Sequence, residues 1–159
     1  MVFRLKGRIN SSCACAIRLP LAAGISKTPR QYSQERMSGA DNRTVCIVDD
    51  DDAVRDSLRL LLESGGLVTR CFASADAFIK AGAQNMACLV LDLHMPGTSG
   101  LELLRLLRRG GVSLPVFVVS GRRDPMLDAE VRAAGATNLL SKPFDDKVLL
   151  DLVLGAVTV

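Results

Sequence analysis

Residues 87–101 read Ala87-Cys88-Leu89-Val90-Leu91-Asp92-Leu93-His94-Met95-Pro96-Gly97-Thr98-Ser99-Gly100-Leu101, and this stretch decides the fold. Ala87–Leu91 is a short apolar run closed by an acid, as in a strand covered on both faces. Pro96-Gly97 and Gly100 then punctuate a loop. Leu101–Arg109 follows with Leu101, Leu104 and Leu107 at helical spacing, and Arg108-Arg109 stand where cations favour the negative end of a helix dipole. The stretch is one βα unit.

The same unit recurs on both sides. Upstream, Val45–Val48 is a β-branched run ending in acids, followed by a helix over Ala53–Glu63 with Val54, Leu58, Leu61 and Leu62 on one face. Gly65-Gly66 ends that helix. Leu67–Phe72 reads as a second strand, and Ser74 caps a short helix through Ala81. Downstream, Val116–Val119 is a fourth strand led by Pro115, and Pro125–Ala134 a helix stopped by Gly135. Thr137–Leu140 is a fifth strand, and Asp145–Leu154 a last helix with two acids at its positive end. Five such units predict an α/β fold: a doubly wound, five-stranded parallel sheet with helices on both faces, because each crossover is right-handed.

Composition agrees. The 159 residues are 48% hydrophobic but only 4% aromatic, with no Trp, so the core must be Leu, Val, Ile and Ala. The length fits one domain. The net charge of +3 is unevenly spread. Residues 1–36 hold Arg4, Lys6, Arg8, Arg18, Lys27, Arg30 and Arg36 against Glu35 alone, whereas the rest carries 13 basic and 16 acidic residues. Residues 1–43 are therefore expected to be a basic leader, disordered or the product of an upstream start with Met37-Ser38 as the natural beginning, and 44–159 the folded domain. The leader superficially resembles a signal or transit sequence. Its apolar stretch Cys13–Ile25 is too short to span a bilayer and is broken by Arg18 and Pro20, so no membrane association is expected. Cys46, Cys71 and Cys88 lie in or beside strand-like runs, as buried thiols of a reducing compartment would. Without a CxxC, and with one histidine, no zinc site is expected.

In doubly wound sheets ligands bind at the carboxyl ends of the strands, where strand order reverses. Asp49 and Asp50 follow the first strand and Asp92 the third; Ser120 ends the fourth and Lys142 the fifth. All five converge on one rim if the order is 2-1-3-4-5. Crowded carboxylates repel unless a cation joins them, and Mg²⁺ suits hard oxygen ligands while keeping waters that a phosphate can displace. Asp92 can then act as a carboxylate nucleophile toward a phosphoryl donor, with Lys142 and Ser120 on the transferring oxygens. The bland readings are an Asp49-Asp50 helix cap, a surface Lys142, and a Ser120 bonded to its own backbone. The pairs Arg108-Arg109 and Arg122-Arg123 are expected to be solvated surface, and the single histidine, His94, an ordinary loop residue.

Val48-Asp49-Asp50, Asp92-Leu93-His94-Met95-Pro96-Gly97, Val119-Ser120-Gly121 and Ser141-Lys142-Pro143-Phe144 resemble, in order and spacing, the signature blocks of bacterial response-regulator receiver domains. The likeness runs from Thr44 to Leu154. The run Met95–Leu103, with Ala134-Gly135-Ala136, is most similar to the FixJ-like branch. The resemblance implies a flavodoxin-like (CheY-like) three-layer αβα fold. It also implies a Mg²⁺ site of Asp49, Asp50, Asp92 and the backbone carbonyl of His94, a phosphoacceptor Asp92, and a donor phosphohistidine on a sensor histidine kinase or phosphotransfer protein. Phosphorylation would draw the Ser120 hydroxyl toward the phosphate and rearrange the last two βα units, the expected surface for a downstream protein or a second copy. The Lys142-Pro143 bond is commonly cis in the family. One position departs from the pattern: Leu139 stands where the family usually has Tyr or Phe. His94 and Arg122 fall at the positions that tune attack by water. The resemblance further implies a cytoplasmic protein and an enzyme only toward its own phosphorylation and dephosphorylation; because the chain stops right after the fifth helix, no DNA-binding output domain is expected.

Three other functions compete with this reading. A haloacid-dehalogenase-like phosphohydrolase would need a second acid where His94 stands. A receiver-like interaction module that is never phosphorylated would not need the full set of acids, hydroxyl and amine. Nucleic-acid binding through the leader lacks a recognition helix or an aromatic-interleaved basic stripe.

Overall fold

The computed structural model describes residues 44–82, 85–122 and 124–157. The expected leader, with Cys13 and Cys15, and Arg123 lie outside the described residues. Strands β1 (Thr44–Val48), β2 (Val68–Phe72), β3 (Cys88–Asp92), β4 (Val116–Ser120) and β5 (Asn138–Ser141) alternate with helices. These are α1 (Asp52–Ser64), α2 (Ala75–Ala81), α3 (Gly100–Arg109), α4 (Pro125–Ala133) and α5 (Asp146–Val157). All strand pairs are parallel, in the order β2-β1-β3-β4-β5, as the sequence predicts.

The pleat sends alternate side chains to opposite faces. Cys46, Val48, Leu89, Leu91, Val116 and Val118 face α2, α3 and α4, where Phe78, Leu103, Leu104 and Val131 close the layer. Val45, Ile47, Val90, Phe117 and Val119 face α1 and α5, against Leu58, Leu62, Leu149 and Val153. Every residue of β3 and β4 is buried, which is why their sequences are continuous apolar runs. Each fully buried Leu or Val side chain contributes about 1.5–3 kcal/mol. Among the described residues no helix is long and apolar enough to cross a membrane.

The edge strand β2 corrects one expectation. With a neighbour on one side only, it leaves Val68 52% exposed, and the Cys71 thiol is exposed rather than buried. Cys46 and Cys88 are buried as expected, and burial pushes their thiols up to about 11 and about 12.

The helix starts are written locally. Asp51 accepts from the N–H groups of Ala53 and Val54, and Ser74 from that of Ala77. Ser99 and Glu102 form a reciprocal capping box at α3. Asp124 caps α4 with Pro125 in its first turn. Boundaries shift by a few residues where tertiary pairing extends an element: Asp92 is the last residue of β3 rather than following it, β5 ends at Ser141 so that Lys142 follows it, and α5 continues to Val157. Gly100 is required at the start of α3: a Cβ there would stand 2.1 Å from the carbonyl oxygen of Asp92.

Candidate functional site

Register builds the rim. Val48 is level with Leu91, so Asp49 and Asp92 leave neighbouring strands side by side. Ser120 is level with Ser141, which brings Lys142 to the same edge. Main-chain bonds hold these ends: Asp49 N–H donates to Phe72 O (3.2 Å), Leu93 N–H to Val119 O (3.0 Å) and Lys142 N–H to Ser120 O (2.7 Å). The Lys142-Pro143 bond is cis, as the family pattern implies.

Three of the expected side chains meet. Lys142 Nζ donates to Asp92 Oδ1 at 2.7 Å and to Asp49 Oδ2 at 3.1 Å. Asp49 and Asp92 are 1% and 5% exposed, while the lysine side chain keeps a quarter of its surface open. The other two carboxylate oxygens are held by backbone: Asp51 N–H donates to Asp49 Oδ1 (2.9 Å) and His94 N–H to Asp92 Oδ2 (2.7 Å). Two buried carboxylates thus share one ammonium, which leaves a negative balance where solvent cannot disperse it. Burial raises the Asp49 carboxyl above its usual range, with Asp92's charge adding to the rise; the Asp51 N–H and Lys142 oppose it without cancelling it. Burial works against the Lys142 ammonium, but its hydrogen bonds and charge contacts with Asp92 and Asp49 outweigh that and hold its pKa above the ordinary value.

Asp50 and Ser120 stand differently. Asp50 is exposed, and among the described residues no three His, Cys, Asp or Glu side chains are gathered to hold a metal ion. Asp50 nevertheless leaves the loop next to Asp49. The donor chemistry fits a small hard cation, since two carboxylates on adjacent strands carry more negative charge than one ammonium balances. Ser120 is buried, but its hydroxyl donates to Arg122 O (2.8 Å) and accepts from Arg122 N–H (3.3 Å). It is therefore bonded to its own backbone rather than to the carboxylates. The His94 side chain is exposed, as is Arg122. Leu139 is half-buried and packs against the core of the α2–α4 face.

Two arginines escaped sequence reasoning. Arg55, one turn into α1, reaches back so that Nη1 donates to the carbonyl oxygen of Asp49 at 2.7 Å, and Nη2 pairs with the Asp52 carboxylate. The signal was a cation three residues after the unbroken acidic run Asp49–Asp52. Arg108, expected at the surface, is corrected. It donates to the carbonyls of Val112 (2.8 Å), Leu114 (3.0 Å) and Gly135 (2.8 Å), and burial lowers its pKa.

The carboxylates and amine can carry acyl-phosphate chemistry: a nucleophilic oxygen at Asp92, an ammonium for the transferring oxygens, and an acidic neighbour for a cation. Comparison with known proteins points the same way. The profile of the response regulator receiver domain matches residues 45–154. The transcriptional regulatory protein FixJ of Azorhizobium caulinodans is 46% identical over 110 residues, covering 69% of this chain and 52% of that protein. The response regulator protein TmoT of Ectopseudomonas mendocina is 36% identical over 134 residues, covering 84% of this chain and 60% of that protein. The chain thus spans a little over half the length of these relatives. Among solved structures, the crystal structure of FixJ-N is 38% identical with a TM-score of 0.66, covering 72% of this chain and 93% of that one. The receiver domain of Francisella response regulator 1452 is 25% identical with a TM-score of 0.69, covering 73% and 97%. With the profile matching residues 45–154 and a FixJ relative 46% identical over 110 residues, the chain belongs to the response regulator receiver domain family of bacterial two-component systems, on its FixJ-like branch.

Proposed function

We propose that this chain is a phosphorylation switch in which Asp92 accepts a phosphoryl group from a phosphohistidine of a sensor histidine kinase or phosphotransfer protein. Mg²⁺ would be held by Asp49, Asp50, Asp92 and the carbonyl of His94. The observation that carries this reading is the buried contact of Lys142 Nζ with both Asp92 and Asp49. It joins a nucleophile, an acidic neighbour and a phosphate-binding cation within hydrogen-bond reach.

An Asp92 oxygen attacks phosphorus, the P–N bond to the imidazole breaks, and the leaving nitrogen keeps the electron pair and takes a proton from solvent. Bound at this rim, Mg²⁺ supplies positive charge to the transferring oxygens. Lys142 exchanges a carboxylate contact for a phosphoryl oxygen, with little movement because its amine is already anchored. The Ser120 hydroxyl leaves the Arg122 backbone to bond another phosphoryl oxygen. The chain catalyses only its own phosphorylation and dephosphorylation. A dehalogenase-type phosphohydrolase is disfavoured because His94, an exposed side chain, stands where the second acid would be.

The output is contact with a downstream protein, or a second copy, through the last two βα units. The domain is taken as 44–159 and the leader as 1–43, and the site of action as the cytoplasm.

Intact-mass measurement after incubation with acetyl phosphate and Mg²⁺ tests the reading. Wild type is expected to gain one labile phosphoryl group, and Asp92→Ala none. No gain by folded wild type overturns the proposal, as does an equal gain by the variant.

A further inference from the structure

Four consecutive acids, Asp49 to Asp52, run from the end of β1 to the first residue of α1. Three have a defined place: Asp49 faces Lys142, Asp51 caps α1, and Asp52 pairs with Arg55. Asp50 lies between the first two and is exposed. Its direction is set by the peptide that joins it to Asp49, and the carbonyl of that peptide is the one Arg55 Nη1 binds at 2.7 Å. The Arg55 side chain reaching it is only 16% exposed, although that of its partner Asp52 is 86% exposed. A planar fork that holds a main-chain carbonyl with one arm and a carboxylate with the other fixes direction as well as distance. The N–H of Asp51 on Asp49 Oδ1 closes the turn from the other side.

We propose that Arg55 is a positioning residue for the divalent-cation side of the site. By clamping the Asp49 carbonyl to Asp52, it keeps the Asp49-Asp50 turn oriented so that both carboxylates reach one ion. The inference rests on the Mg²⁺ reading above. Arg55 touches neither the ion nor the transferred group. It acts through the backbone, as outer-shell partners of metal ligands do. Its charge is largely spent on Asp52, so it aligns the acids without repelling a cation.

The test is a Mg²⁺ titration of the whole chain, followed twice: by the shift of the thermal unfolding midpoint, and by the rate of acyl-phosphate formation from acetyl phosphate. For Arg55→Ala the half-saturating Mg²⁺ concentration is expected to rise about tenfold by both readouts, as when an outer-shell partner is lost. The rate at saturating Mg²⁺ should stay within about twofold of wild type, since Arg55 makes no contact that is special to the transition state. Arg55→Lys, which keeps the charge but not the fork, should fall between wild type and Arg55→Ala, and so should Asp52→Ala, which frees the arm that Asp52 holds. If Arg55→Ala unfolds without Mg²⁺, Arg55→Lys carries the comparison. An unchanged half-saturation in a folded variant overturns the inference and leaves the phosphorylation reading standing. A lower maximal rate at unchanged half-saturation overturns it equally. A wild type that shows no midpoint shift with Mg²⁺ overturns both.

Discussion

Two cations stand at opposite ends of the same sheet, and they are held by different kinds of partner. At the carboxyl rim, Lys142 bridges two buried carboxylates. Below the amino ends of β4 and β5, Arg108 gathers three carbonyl oxygens, those of Val112, Leu114 and Gly135. The arginine's partners are neutral and sit in turns that need a donor, so its charge-assisted bonds complete a structure. The lysine's partners are charged, crowded and taken from water, and burial holds the Asp49 carboxyl above its usual range despite the ammonium. A cation that ties up carbonyls stabilises a fold. One that stands between surplus carboxylates keeps a site ready for a further cation and for anionic oxygens.

The largest expected effect separates these roles. Lys142→Ala should lower the rate of phosphoryl uptake from acetyl phosphate by on the order of a hundredfold, the usual loss when one charge-stabilising donor is removed. A time course of intact mass checks this, and a near-wild-type rate would break the contrast. Arg108→Ala should do the reverse. Phosphoryl uptake should stay within about twofold, while unfolding in urea should show a loss of about 2 kcal/mol, because three carbonyls lose a charged donor but water can replace part of it. A variant as stable as wild type would mean that Arg108 is ordinary surface after all.

The smallest effect lies at the start of α3. Backbone and side-chain bonds from Ser99 hold the Glu102 carboxyl below its ordinary 4.5. The charged capping box therefore contributes stability above that pH, and the contribution is lost as pH falls through the depressed value. Urea unfolding of wild type and Glu102→Gln should show a small wild-type advantage near neutrality that fades below pH 4.5. An advantage that is constant with pH would assign it to shape rather than charge.

Much of this was legible in the chain. Continuous apolar runs such as Cys88–Leu91 can only be strands covered on both faces, and the glycines and caps between them fixed where each helix began. The acids, the hydroxyl and the lysine at strand ends then located the rim. What stayed hidden depends on contacts remote in sequence. Cys71 sits in a run like the others but falls on an edge strand, and edge position is a property of strand order. Arg108 reads as an ordinary basic helix end because one of its acceptors, Gly135, is 27 residues away. Ser120 was placed correctly, yet the direction of its hydroxyl depends on the turn at Arg122 rather than on its own position.

The missing side chain at Gly100 has a mechanical consequence. With its Cα packed on the Asp92 carbonyl and its N–H bonded to Leu93 O at 3.2 Å, the first turn of α3 is seated directly on the end of β3. The strand end and the helix have no slack between them and move as one body. A disturbance centred on Asp92 meets a wall toward α3, and its freedom lies toward the β4–α4 turn, where the Ser120 hydroxyl bonds both polar groups of the Arg122 backbone.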